Sequence, residues 1–168
     1  MKKYLSIVML LILSALIFSA CGAGDTPPAD NGSSSAESAE FYFETCSHKL
    51  RVNDDMKDII AAIGEPLRYF EAPSCAFEGL DKTYTYAGFV IITRPEGDSD
   101  FVSCITLSDD SVTTPEGAYI GFAKADVIKL YGDGDETPGG ISYTKGDCVL
   151  SFIIDKDTVI SIEYLSKD

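Results

Sequence analysis

The sequence shows one order of patterns twice: a short helical segment that ends at a glycine, followed by runs of strand-forming residues. Residues 58–66 (DIIAAIGEP) align with residues 126–134 (DVIKLYGDG), and residues 101–110 align with residues 159–168 at a different offset. Such self-similarity is typical of a duplicated structural unit. The sequence therefore predicts two related units, residues 41–112 and 113–168, of which the first carries the longer insert.

Each predicted unit begins with an amphipathic helix. Apolar residues in the first helix follow the i, i+3, i+4, i+7 spacing of one buried face: Met56, Ile59, Ile60 and Ile63. Asn53 is the predicted N-cap, and Gly64 is suited to the left-handed conformation that ends a helix. The second helix is predicted over residues 123–131.

Strand patterns follow each helix. Three runs are rich in aromatic and β-branched residues in each half: 82–87, 89–94 and 101–107, then 141–144, 148–154 and 158–165. Alternation of Phe41, Phe43 and Thr45 predicts an additional edge strand. We therefore expect an α+β fold of two tandem units, each a helix plus a three-stranded antiparallel sheet, with the helices packed on one sheet face.

The amino terminus has the pattern of a signal peptide. Lys2 and Lys3 precede an apolar stretch over residues 5–18, and small residues follow at Ser19 and Ala20. The apolar stretch is short for a membrane span, although an N-terminal anchor helix is the alternative. The sequence thus predicts that residues 1–20 direct export.

The segment IFSAC, residues 17–21, resembles a bacterial lipobox, with Phe18 in place of the usual leucine. The resemblance implies that Cys21 is acylated and becomes the first residue of a mature lipoprotein. Residues 21–40, rich in Ser, Gly, Pro and acidic residues, are expected to form a flexible tether. The expected location is the extracytoplasmic face of the cell membrane, held by the lipid anchor.

The chain is strongly acidic, with 13 Lys and Arg against 27 Asp and Glu and a net charge of −14. Removal of residues 1–20, which hold two Lys and no acid, would leave −16. Nucleic acid is excluded as an expected partner because it repels such a surface. Contact with anionic lipid headgroups or wall polymers is therefore expected only through the lipid or through divalent cations.

The unit that starts at Ile120 and Gly121, continues with residues 126–132 and Tyr143, and ends with residues 150–164 resembles the repeat of the BamE/SmpA and β-lactamase-inhibitor-protein-like superfamily. Residues 71–84 are also similar to uncharacterised lipoproteins of clostridial-type Gram-positive bacteria. The resemblance implies helix-plus-sheet units, an envelope location and a role in protein binding. It carries over no active-site residue.

Four cysteines remain after Cys21, an even number that indicates disulfides in an exported domain: Cys46, Cys75, Cys104 and Cys148. Three pairings are possible, and we favour Cys46–Cys75 with Cys104–Cys148. Buried free thiols are the alternative.

Residues for catalysis are few. His48 is the single histidine, so neither a nucleophile–base pair nor a multi-histidine metal site is expected, and no cofactor is predicted. Acidic loops such as Asp133, Asp135 and Glu136 leave a Ca²⁺ or small-ligand protein as the alternative function, and a two-carboxylate enzyme acting on wall polymers as a third.

The sequence hypothesis is a non-catalytic, lipid-anchored envelope lipoprotein that binds an unidentified envelope protein. The expected contact surface consists of aromatic residues on strands, namely Tyr84, Tyr86, Phe89 and Tyr143.

Overall fold

The structure is a computed structural model that describes residues 40–76 and 78–167. Two helices lie among these residues, α1 (Met56–Ile63) and α2 (Lys124–Tyr131). The strands are β1 (Phe43–Thr45), β2 (His48–Leu50), β3 (Arg68–Pro73), β4 (Leu80–Thr85), β5 (Phe89–Glu96), β6 (Ser99–Leu107), β7 (Asp135–Thr137), β8 (Gly140–Lys145), β9 (Cys148–Asp155) and β10 (Thr158–Ser166). Signal peptide and tether, apart from Glu40, lie outside the described residues, so those predictions are not addressed by the fold.

Eight of the strands form one antiparallel sheet in the order β3-β4-β5-β6-β10-β9-β8-β7, while β1 and β2 form a separate hairpin. The predicted fold of two helix-plus-three-strand units is therefore wrong, and the described part of the chain is mostly β. Each helix is followed by four strands, and the last strands of the two sets, β6 and β10, pair through Ile105 and Tyr164. We call this β6–β10 pairing the seam. Its backbone hydrogen bonds join the two sets of strands, whereas two separate three-stranded sheets would have no such bonds between them.

The core lies on one face of the sheet. One row of directly paired residues crosses seven strands, namely Tyr69, Tyr84, Ile91, Ile105, Tyr164, Leu150 and Tyr143. All of these except the first are buried, and they belong to one cluster with Met56 and Ile59 of α1 and Val127 of α2. Since side chains alternate between faces along a strand, this pairing directs one complete set of apolar residues toward the helices.

The predicted edge strand is part of the β1–β2 hairpin and does not extend the large sheet. Phe43 of β1 is fully buried, and its ring lies 4.9 Å from that of Phe89. Cys46 and Ser47 form the two-residue turn of this hairpin, both with positive φ. The hairpin thus adds an aromatic side chain to the core without using an edge of the sheet.

The ends of α1 agree only in part with the sequence. Gly64 has φ 90° and donates its N–H to Ile60, as the prediction of a glycine-ended helix requires. The N-cap is Asp55, whose carboxylate accepts the Lys57 N–H at 2.9 Å, and not Asn53. Asn53 instead has φ 67° and donates its N–H to Val102 of β6, so tertiary pairing removes it from the capping position.

Candidate functional site

Three of the four aromatic residues predicted to form a contact surface are in the core. Tyr84, Phe89 and Tyr143 are 6%, 3% and 8% exposed, and half-buried Tyr86 stacks on Phe89 with 5.0 Å between ring centroids. Burial raises the pKa of Tyr86 to about 12. Tyr84, Phe89 and Tyr143 are therefore not available to a partner, because their side chains project from the helix-covered face of the sheet.

The four cysteines within the described residues are free thiols, so the predicted bridges are not formed in this structure. Cys104 of β6 pairs with Leu165 of β10, and Leu165 pairs with Val149 beside Cys148 on β9. The intervening strand separates the two Cα atoms by about 9–10 Å. A disulfide needs about 4.4–6.8 Å between Cα atoms, so Cys104 and Cys148 cannot be joined without moving β10. Cys46 and Cys75 are exposed.

The sequence motifs considered for catalysis and metal binding do not converge. His48 is exposed on β2, while Cys46 lies in the hairpin turn and not on the same strand face. Glu136 bonds to Lys124 at 2.8 Å, and Asp109 accepts hydrogen bonds from Ser111. Among residues 40–76 and 78–167, no group of three or more His, Cys, Asp or Glu side chains is arranged to hold a metal ion.

A group of large, exposed apolar side chains lies on and beside β3, at one end of the sheet. Leu67 is 72%, Tyr69 50% and Phe70 65% exposed, and Leu80 of the neighbouring strand is also exposed. Among residues 40–76 and 78–167, β3 pairs only with β4, so its other side is an edge of the described sheet. We call this strand with its flanking Leu67 the β3 edge.

Backbone groups of the β3 edge face away from the sheet at two positions. In the β4–β5 hairpin, the Tyr86 N–H donates to the Phe89 carbonyl at 2.9 Å. Successive residues of a central antiparallel strand bond alternately to the strand on one side and to the strand on the other. Since Tyr86 bonds to β5, the odd-numbered residues Thr85, Thr83 and Asp81 bond to β3, and their β3 partners are its even-numbered residues. The N–H and C=O groups of Tyr69 and Glu71 consequently face outward.

The opposite edge of the sheet is protected in a way that the β3 edge is not. β7 has three residues, two of them acidic, and Pro138 and Gly139 follow it directly. Short, charged edge strands disfavour pairing with another chain, whereas longer strands with apolar side chains favour it. β3 is twice as long as β7 and carries the exposed rings of Tyr69 and Phe70. Of the two edges among the described residues it is therefore the better suited to accept another strand, although Pro73 at its end offers no N–H.

Polar contacts hold the side chains of the β3 edge on its helix-covered face. The Tyr69 hydroxyl donates to the Glu71 carboxylate, which raises the pKa of Tyr69, and the Tyr69 ring lies 5.2 Å from that of Tyr84. Lys82, opposite Glu71 on β4, bonds instead to Asp100 at 2.6 Å. Behind these residues is an open depression of about 240 Å³ lined by Met56, Tyr84 and Asp100, among others.

Sequence reasoning missed the β3 edge. Gly64 and Pro66 precede the strand and Pro73 is its last residue, a pattern that indicates a loop, and apolar residues do not alternate within the strand. Apolar and polar residues alternate along a strand because one of its faces is buried and the other is exposed. Neither face of β3 is buried, so its sequence shows no such alternation. The available signal was the adjacent aromatic pair Tyr69-Phe70 in a short segment between prolines.

Comparisons with known proteins identify no family for the chain. No family model matches it, and no curated protein matches it. A similar solved structure is an extracellular protein containing a SCP domain from Bacillus anthracis str. Ames, with a TM-score of 0.42 and 15% identity. The match covers 68% of this chain and 44% of that one. The predicted membership in the BamE/SmpA and β-lactamase-inhibitor-protein-like superfamily is therefore wrong, as is the similarity to clostridial-type lipoproteins.

Within the described part of the chain, neither helix has the length and hydropathy needed to cross a bilayer. The apolar stretch at residues 5–18 lies outside the described residues.

Proposed function

We propose that this chain is a lipid-anchored, non-catalytic envelope protein that binds an extended segment of another protein by adding it as a strand at the β3 edge. The observation that carries the proposal is an edge strand of six residues with outward-facing backbone groups and exposed aromatic side chains. In strand addition, main-chain hydrogen bonds supply affinity and alternate side chains supply specificity.

The anchor is the second part of the proposal, and it rests on the sequence around Cys21. Acylation of this cysteine would hold the protein at the membrane, and residues 22–40 would separate the sheet from the lipid surface. A tethered module of this kind searches for partners near the membrane, where the tether raises their effective concentration.

Two variants at one position test the strand addition. Tyr69→Pro removes an outward-facing N–H that β4 does not use, and proline is tolerated at such edge positions. Tyr69→Ser also removes the aromatic ring but keeps the N–H. We expect a photo-crosslinking amino acid in place of Phe70 to capture one envelope protein in cells. Capture should persist with Tyr69→Ser and disappear with Tyr69→Pro.

A control crosslinker at exposed Tyr119, in the segment before α2, should not capture the same protein. Equal capture from both positions, or capture that survives Tyr69→Pro in a protein with unchanged thermal stability, would rule out binding at the β3 edge.

The anchor is tested separately by Cys21→Ala in cell fractionation. We expect the variant to leave the membrane or to remain uncleaved. A cleaved Cys21→Ala protein that stays with the membrane would contradict lipid anchoring without affecting the strand-addition hypothesis.

A further inference from the structure

We propose that the strand added at the β3 edge is antiparallel and carries a Lys or Arg opposite Glu71, followed by two apolar residues and then an acidic residue opposite Arg68. This inference rests on the proposed function, because it specifies the partner of the same edge. It follows from which side chains share each face and from which charges at the edge lack a partner.

The order of side chains along the β3 edge is set by strand pairing. Tyr69 pairs with Tyr84, which is in the buried row, so Tyr69 and Glu71 lie on the helix-covered face. Phe70 pairs with Thr83, and Thr83 with Ile92, so Phe70 and Arg68 lie on the opposite face. Directly paired side chains in an antiparallel sheet share a face. Successive residues of an added strand would therefore lie beside these four side chains on alternate faces of the sheet.

Glu71 forms no ion pair with another described residue. Its cross-strand neighbour Lys82 is bonded to Asp100, and no Lys, Arg or His of the described residues lies within 4.0 Å of the Glu71 carboxylate. Its contact is with the neutral Tyr69 hydroxyl. A cation on an added strand would therefore pair with Glu71 without displacing an existing ion pair.

Arg68 gives the edge a direction. It lies three residues before Glu71, and no acidic side chain among residues 40–76 and 78–167 forms an ion pair with it. The edge is thus basic at its start and acidic toward its end, where Asp81 pairs with Ala72. An antiparallel strand meets Glu71 first and Arg68 last, which gives the order basic, apolar, apolar, acidic.

The two middle positions lie opposite Phe70 and Tyr69, which are 65% and 50% exposed. Apolar side chains there would cover both rings, and aromatic and β-branched residues are favoured cross-strand neighbours. Antiparallel addition also continues the pairing of all the other strands in the sheet.

Two end-capped peptides of identical composition test the inference. One contains Lys-Val-Tyr-Glu and the other Glu-Val-Tyr-Lys, with the same neutral flanking residues. Binding to the full chain in detergent is measured by backbone amide shifts of β3 and by titration at low salt. We expect about tenfold tighter binding of the first peptide. Its Lys and Glu lie opposite Glu71 and Arg68, whereas in the second peptide each of these two protein residues faces a like charge.

A charge exchange in the protein provides the matched control. Arg68→Glu combined with Glu71→Lys leaves the net charge unchanged and should reverse the preference between the peptides. Asp155→Lys at the exposed end of β9, combined with Lys156→Glu in the turn that follows, exchanges charges away from the edge and should leave the preference unaltered.

The outcomes separate this inference from the proposed function. Equal binding of both peptides that Tyr69→Pro abolishes would overturn the charge order and leave strand addition standing. Absence of β3 amide shifts with either peptide at millimolar concentration would overturn both. A dimer whose crosslink joins Phe70 of two molecules would assign the edge to a second copy and overturn the partner proposed here.

Discussion

The hydroxyl of Tyr143 on β8 donates to the backbone carbonyl of Gly132, the residue that ends α2, at 2.9 Å. The first half has a corresponding bond from the Tyr86 hydroxyl to the carbonyl of Gly64 at 3.1 Å, at the end of α1. Carbonyls in the last turn of a helix have no partner within the helix. In each half, a tyrosine next to the sheet core therefore fixes the end of the helix above it.

Tyr143→Phe should lower the free energy of unfolding by about 1 kcal/mol, because it removes one hydrogen bond while the ring stays in the core. Urea denaturation measures the change. Tyr119→Phe at an exposed position serves as the matched control and should have little effect. Equal stability of the Tyr143 variant and the unsubstituted protein would mean that water replaces the hydroxyl at Gly132 without loss.

Ile105→Ala should be among the most destabilising single substitutions in the sheet. Ile105 is fully buried at the β6–β10 seam, between Ile91 and Tyr164, and its truncation should cost about 2–5 kcal/mol. Ile160→Ala, at a position 54% exposed on β10, should change stability by no more than about 0.5 kcal/mol. Similar losses in the two variants would argue against the seam as the centre of the core.

Thiol labelling should distinguish the cysteines by burial. Cys46 and Cys75 are exposed, whereas burial raises the pKa of Cys148 to about 12 and so keeps it protonated at neutral pH. We expect rapid modification of the exposed pair and modification of Cys148 only after unfolding. A native mass four hydrogens below that of the reduced chain would show two disulfides and contradict the structure.

Asp54 should make the fold less stable as pH rises above the ordinary aspartate range. Burial raises the pKa of Asp54 above 3.8, although its carboxylate accepts the Arg51 N–H at 2.7 Å. The folded state then holds the proton more tightly than the unfolded state. This stabilisation is complete below the unfolded pKa and is lost as pH rises through the folded pKa.

Asp54→Asn keeps the acceptor oxygen and removes the charge. We expect its free energy of unfolding to decline less than that of the unsubstituted protein as the pH rises above about 4. Chemical denaturation at several pH values provides the comparison, with Asp155→Asn at the exposed end of β9 as control. An identical pH slope in the Asp54 variant would exclude this carboxyl as the source.

Local patterns predicted most of the individual elements. The spacing of Met56, Ile59 and Ile63 matches α1, and the β-branched runs match β5, β6, β9 and β10 within about two residues. These features could be predicted because helical and strand periodicity follow from which side chains are buried. The same reasoning placed Tyr84 and Tyr143 correctly on strands but not on the correct face.

The candidate site could not be predicted in this way. β3 lacks alternation because both its faces are largely exposed, and its importance depends on its place at the end of the sheet. The favoured Cys104–Cys148 pair is excluded for a related reason, since counting cysteines does not reveal that β10 lies between these two residues.

The sequence by itself determined the periodicity of the helices and strands, the acidic charge and the lipobox-like segment around Cys21, because these depend on residues close together in the chain. Only the tertiary structure decided that β6 pairs with β10, that Tyr84 and Tyr143 are buried and that β3 has an open edge. Strand order and the choice of the covered face depend on contacts between residues that are far apart in sequence. A local sequence pattern gives no information about the free energy of those contacts.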